Sequence, residues 1–223
     1  MNPSIWIYGG IHDDPGSRQR FIEEFTKQGT APHLVAVEWE QSVFTRFAEQ
    51  RPLIEEGLRF CGDFLTPEDC YELSLALAWE GDSYVERFPG TDVLWLESEF
   101  QEVDLKRRYG MDASKVPESW AKGLRDRLWR ACRPPSEPRS KKELIDRAWR
   151  TAWAEVYRES GGLERDARWA NAICESSVGL GDGWIAVVVG WAHADPEDED
   201  QRLRLRGLLL SQGYSVNSVC LGP

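Results

Sequence analysis

Histidine is scarce in this chain, three residues in 223, and several other shortages narrow what the protein can be. Cysteine is sparse and unpaired in pattern. Cys61, Cys70, Cys132, Cys174 and Cys220 form an odd set with no C-x-x-C pair, a poor disulfide framework and a poor zinc site. Reduced, mostly buried thiols are the expectation. No apolar run approaches the roughly 20 residues of a membrane span. The start, Met1-Asn2-Pro3-Ser4, has neither a basic stretch nor a cleavage-site pattern, so the expected setting is cytoplasmic. Basic charge is also short: 27 Lys and Arg stand against 38 Asp and Glu, a formal charge of −11. That balance argues against nucleic acid, whose phosphates require a basic surface, and against an anionic membrane. No G-x-S-x-G elbow is present, which removes the serine hydrolases that depend on one.

What is present suits one domain over residues 1–223. Eleven tryptophans are most simply core and cleft-wall residues. Ile5-Trp6-Ile7-Tyr8 reads as a buried strand ending at Gly9-Gly10. A helix over Gly16–Gln28 follows, with Phe21, Ile22 and Phe25 at helical spacing and Gly29 as its stop. Leu34–Glu40 is a second strand, and helices are expected over Ser42–Leu58 and Thr66–Trp79. Thr66-Pro67-Glu68-Asp69 has the cap, the first-position proline and the acid of a capping box. Asp92–Glu97 is a third strand. The charged stretch of about 100–163 reads as a helical insertion, broken at Arg133-Pro134-Pro135-Ser136-Glu137-Pro138. A helix over Glu164–Ser176, an apolar strand over Trp184–Val189, a helix over Asp198–Gln212 and a strand over Tyr214–Leu221 complete the order. Strands alternating with helices predict an α/β fold, a central mostly parallel sheet with helices on both faces.

The two ends of the chain echo each other. Gly9-Gly10-Ile11-His12-Asp13-Asp14-Pro15 follows the first strand, and Gly190-Trp191-Ala192-His193-Ala194-Asp195-Pro196 follows the fourth. Each precedes a helix that ends in Gln-Gly, at Gln28-Gly29 and Gln212-Gly213. In each copy Gly serves a tight turn or a positive φ. Asp-Pro is the favoured cap and first helical residue, so Asp14 and Asp195 are read as caps. Each histidine is left at the C-terminal edge of a parallel strand, where open α/β sheets hold their ligands. Two pseudo-symmetric βαβ ends would bring both imidazoles to one crevice.

Leu34, Ala36, Glu38 and Glu40 share one parity of the second strand, so Glu38 and Glu40 are expected on the same side near its end. A carboxylate in an apolar strand needs a histidine, a metal or water beside it. Glu97 and Glu99 repeat the arrangement after the third strand, with Glu97 a further binding candidate. Arg165, on one helical face with Trp169 and Ala172, is able to aim its fork at a carboxylate or oxyanion, although its spacing equally fits an ordinary charged helix. His33 precedes a strand, lacks the motif and reads as a solvated loop residue. Glu197-Asp198-Glu199-Asp200 suits the positive end of a helix dipole.

Taken in order, Gly9-x-x-His12, Val35-Ala36-Val37-Glu38, Glu164-Arg165-Asp166 and Val188-Val189-Gly190-Trp191-Ala192-His193 resemble the TraB/PrgY/GumN family. That family sits in a wider superfamily with erythromycin esterases, ChaN-like proteins and the Tiki proteases. The landmarks span nearly the whole chain, while residues 41–160 carry none of them. The resemblance implies pseudo-symmetric α/β halves around a cleft holding His12, Glu38, Arg165 and His193. It also brings both metal-dependent peptidases and metal-independent esterases into view. His33 departs from the pattern, since relatives tend to have an acidic residue there, and the lack of a membrane segment argues against a membrane-tethered Tiki-like role.

Two function classes follow. The first is a hydrolase of ester or peptide bonds. Without metal, His12 takes a proton from water, Glu38 orients its other nitrogen, and Arg165 or His193 stabilises the oxyanion. With metal, His12, His193 and Glu38 are the candidate donors for a divalent ion (zinc, manganese or iron) that activates the water. The second class is a non-catalytic binding or regulatory module for a peptide or small molecule. A third reading leaves the histidines as structural ties between the two turns.

Overall fold

The computed structural model describes residues 2–12, 14–60, 65–76, 78–97, 161–194 and 202–221. Nearly all of the expected helical insertion, the Arg133–Pro138 proline cluster, Glu99, the cap position Asp195 and the acidic run 197–200 fall outside these residues. Within them the elements in chain order are β1 (Ser4–Gly10), α1 (Pro15–Thr26), β2 (Leu34–Val37), α2 (Gln41–Phe60), α3 (Pro67–Ala76), a 3₁₀ turn (Trp79–Gly81) and β3 (Asp92–Trp95). They continue with α4 (Gly162–Ser176), β4 (Trp184–Gly190), the one-turn α5 (Trp191–Ala194), α6 (Leu205–Ser211) and β5 (Val216–Cys220).

The described strands form one parallel sheet in the order β3-β2-β4-β1-β5. The chain passes from β1 to β2 across β4, and from β4 to β5 across β1. The strands that carry the two histidine turns are therefore neighbours in the middle of the sheet, paired from Ser4↔Trp184 to Gly10↔Gly190.

Period-two alternation divides the strands between two cores. Ile5, Ile7, Leu34, Ala36, Ile185, Val187 and Val189 pack on one face beneath Trp169, Ala170 and Ile173 of α4 and Leu205 and Leu209 of α6. Tyr8, Val35, Val37, Ala186 and Val188 pack on the other beneath Phe21 and Phe25 of α1, with Trp79 and Tyr84. All seven residues of β4 are buried, which explains why its sequence is a continuous apolar run rather than an alternation. Helices cover both faces, as an α/β fold requires.

Two caps work as their sequence suggests. The Asp14 carboxylate accepts the Ser17 backbone N–H at 2.7 Å ahead of Pro15. At α3 the Asp69 backbone N–H donates to Thr66 Oγ1 at 3.1 Å, while the Thr66 N–H donates to Asp69 Oδ2 at 2.8 Å.

Several boundaries differ from the sequence expectation. Strand β2 ends at Val37, three residues early, because the Trp39 N–H turns back to Val37 O at 2.8 Å. Helix α3 ends at Ala76 rather than Trp79. Ala78 then takes a left-handed conformation (φ 51°, ψ 38°), the only non-glycine positive φ among the described residues, and the 3₁₀ turn follows. The last described helix runs from Leu205 after the non-helical residues 202–204, and the expected start at Asp198 lies outside the described residues.

Candidate functional site

The site lies where β1, β2 and β4 end together. β1 delivers His12 two residues past its end, and β4 delivers His193 on the turn α5. Beyond β2 the Glu38 backbone N–H still donates to Val188 O at 3.1 Å, so Glu38 is pinned against β4 although the strand has ended. Its side chain then lies between the two turns. Oε2 accepts the Gly190 N–H at 2.5 Å and stands 3.8 Å from His12 Nε2. Oε1 stands 3.4 Å from His193 Nε2 and 3.8 Å from Arg165 Nη1. His12, Glu38, Arg165 and His193, which the sequence places in four separate segments, are thus brought together around one carboxylate.

The glycines of the turns are needed for close approach. None of Gly9, Gly10 and Gly190 has a positive φ, contrary to that part of the expectation. A β-carbon on Gly190 would stand 2.8 Å from His12 Nε2 and 3.0 Å from Glu38 Oε2, inside the site. One on Gly10 would strike the Trp79 ring at 2.4 Å. In the strand register Gly10 rather than Gly9 faces Gly190, so the two motifs stand one residue out of step.

Two carboxylates that sequence patterns do not single out complete the arrangement. His12 Nδ1 meets Glu80 Oε1 at 2.5 Å, and Trp39 Nε1 donates to Glu80 Oε2 at 3.3 Å. His193 Nδ1 meets Asp166 Oδ1 at 2.6 Å, and the Leu205 backbone N–H donates to Asp166 Oδ2 at 2.9 Å. Glu80 and Asp166 are fully buried. The expectation that Glu38 orients the second nitrogen of His12 is corrected by this geometry: Glu80 holds Nδ1, and Glu38 faces Nε2. Asp166 was visible only as the third residue of Glu164-Arg165-Asp166. Glu80 carried one usable signal, an acidic residue in the otherwise apolar Ala78-Trp79-Glu80-Gly81.

Burial alone would push the Glu38 carboxyl up, but His193, His12 and the Gly190 N–H outweigh it and hold the group well below the usual carboxylate range. Burial acts on His193 in the opposite sense, and it too is outweighed. Glu38 and Asp166 raise the imidazole above its ordinary value of 6.5, which favours the protonated ring. Tryptophans wall both histidines: Trp169 lies over His193 with ring centroids 4.4 Å apart, and Trp39 meets His12 edge-on at 6.3 Å. The Arg165 guanidinium lies 5.6 Å from the centre of the Trp169 ring. The side chain of His12 is 21% exposed and that of His193 only 4%, so solvent reaches the first ring and barely the second.

The remaining candidates lie elsewhere. Glu40, past the end of β2, accepts a hydrogen bond from Ser42 and lines an open surface depression with Gln41, Ser42, Thr45 and Glu49. The strand parity that would pair it with Glu38 ends with β2 at Val37. Glu97 is buried and accepts the Trp169 Nε1–H at 3.1 Å, with Arg168 at 3.7 Å, so it holds the ring that lies over His193. His33 is a loop residue against Asp182 O at the far edge of the sheet, as expected. Among the described residues no group of three or more His, Cys, Asp or Glu is arranged to hold a metal ion. No described helix is long and apolar enough to cross a membrane. Cys174 and Cys220 are free thiols.

Compared with protein-family models, with curated proteins and with solved structures, the chain matches none. The resemblance to the TraB/PrgY/GumN family therefore rests on its four landmarks.

Proposed function

We propose that this protein is a hydrolase of ester or peptide bonds that works without a metal, with His12 as general base. The observation that carries the reading is the convergence of His12, His193 and Arg165 on the buried carboxylate of Glu38 at the C-terminal edge of a parallel sheet. Open α/β sheets bind ligands at that edge. In the proposed step His12 Nε2 takes one proton from water while the water oxygen bonds to the substrate carbonyl carbon. Arg165 faces the negative charge that develops on the carbonyl oxygen. Collapse of the adduct breaks the ester or amide bond, and the proton held by His12 passes to the leaving alkoxide or amine. Glu38, kept ionised, stabilises the imidazolium of His12 while it exists. His193 Nε2 faces Glu38 Oε1 directly at 3.4 Å, and a proton held between them supports the metal-free route over one through His12, Glu38 and His193.

The near-complete burial of Glu38 and His193 favours a second reading, a non-catalytic module whose network locks the two turns beneath a peptide or small-molecule cleft. Turnover of an ester and peptide panel by wild type, His12→Gln and Arg165→Gln, with a chelator arm and melting curves, separates the two. The hydrolase reading expects turnover that survives chelation and falls by about 10²-fold or more in His12→Gln at unchanged melting. Absence of turnover on every substrate, or turnover indifferent to His12, overturns it.

A further inference from the structure

The two histidine turns match in sequence but differ in what surrounds each ring, and the difference assigns a role to a residue outside both motifs. We infer that Glu80 is the positioning residue of the site, holding His12 in the tautomer that carries its proton on Nδ1 and its lone pair on Nε2, while His193 serves as a fixed cation between Glu38 and Asp166. This inference rests on the hydrolase reading only for what the lone pair is used for.

Glu80 accepts from two directions. Trp39 Nε1 is a donor only, so Oε2 must accept, at 3.3 Å. Oε1 lies 2.5 Å from His12 Nδ1, and an ionised carboxylate there requires the proton on Nδ1. Nε2 is then the basic atom, and it is the one turned toward Glu38. Among the described residues, the charged groups facing His12 include Glu80 from the turn after α3 and Glu38 from the end of β2. His193 differs in that its second nitrogen also comes within hydrogen-bonding reach of a carboxylate: Asp166 of α4 stands at 2.6 Å and Glu38 at 3.4 Å, against 3.8 Å between His12 Nε2 and Glu38. Both nitrogens of His193 therefore carry protons, and the ring has no basic atom to offer. A sharp local device presents Glu80: α3 ends early, Ala78 turns left-handed, and the 3₁₀ turn swings the carboxylate inward. Backbone strain of this kind persists where the surroundings over-determine it.

Substituting Glu80→Gln gives a discriminating test, because an amide has one accepting oxygen and one donating nitrogen. If the oxygen stays with Trp39 Nε1, the amide N–H₂ faces His12 Nδ1 and drives the ring to the Nε2–H tautomer. Long-range ¹H–¹⁵N correlation of ¹⁵N-labelled protein reads the tautomer of each ring directly, with His33→Gln assigning the loop histidine. Wild type should show His12 as Nδ1–H and His193 protonated on both nitrogens at neutral pH. In Glu80→Gln the Nδ1–H form of His12 should cease to dominate. In the double variant Trp39→Phe/Glu80→Gln the oxygen is released to accept from Nδ1, and the Nδ1–H form should return. A wild-type His12 protonated on Nε2, or a tautomer indifferent to Glu80→Gln in folded protein, overturns the inference. If Glu80→Gln does not fold, the wild-type spectrum alone decides. The readout needs no substrate, so a tautomer as stated with no turnover would sink the hydrolase reading and leave this one standing.

Discussion

At Glu38 burial and pairing act in opposite directions, and pairing wins. An ionised carboxylate taken out of water is costly unless hydrogen bonds and opposite charge compensate it. The Gly190 N–H and the His193 imidazolium do so at this site, and His12 adds to them when its ring is protonated. The consequence for stability has a definite sign. Glu38, whose folded value is depressed, contributes stability above its ordinary 4.5 and loses it as pH falls through the lower folded value. His193, whose folded value is raised, contributes fully below 6.5 and loses stability as pH rises through the higher folded value. The pair is therefore worth most between about pH 4.5 and 6.5. The melting-temperature gap between wild type and His193→Gln should be widest in that window and narrow on the alkaline side. A gap that widens steadily with rising pH would contradict the assignment. At this scale His12, His193 and Glu38 were legible, because rare residues in repeated surroundings, or a charge in an apolar strand, stand out in one dimension. Glu80 and Asp166 were not, since neither sits in a repeated pattern and their partners come from distant segments.

At the scale of elements, strand ends and helix caps decide what reaches the site. Gly190 closes β4 and donates to Glu38, and an added methyl would press on both His12 and Glu38. Gly190→Ala should cost about 1–3 kcal/mol, the usual range for overpacking, and weaken hydrolysis beyond what its melting loss explains. Unchanged melting and activity together would mean that the turn can shift to admit a methyl group at no cost. The capping box of α3 is a milder case. Asp69→Ala should lower stability by about 0.5–2 kcal/mol in denaturant unfolding, through the lost contacts with Thr66. That box could be read from Thr66-Pro67-Glu68-Asp69 because its chemistry is local. The early ends of β2 and α3 could not, because a turn at Trp39 and a left-handed Ala78 depend on tertiary contacts that propensity does not encode. The parity argument that placed Glu40 beside Glu38 loses its basis for the same reason: alternation holds only while the strand continues.

At the scale of the whole molecule, the crossovers from β1 to β2 and from β4 to β5 each skip one strand, and this is what makes neighbours of β1 and β4. Exchanging β1 with β4 and β2 with β5 turns the order β2-β4-β1-β5 into the same order read from the other end. Alternating apolar runs made the α/β class and the two-faced core legible; the strand order was not, because several orders satisfy the same alternation. Phe21, buried between α1 and the sheet, tests the second core directly. Phe21→Ala should cost about 3–5 kcal/mol, and a loss below about 1 kcal/mol would dispute the packing of that face.

The central claim is spatial, that residues 181 positions apart share one carboxylate. A double-mutant cycle on His12→Gln and His193→Gln, read by denaturant unfolding, measures it without a substrate. Coupling through Glu38 predicts an interaction energy of about 0.5–3 kcal/mol between the two substitutions. Losses that add to within about 0.3 kcal/mol would place the two rings in independent surroundings and contradict the account.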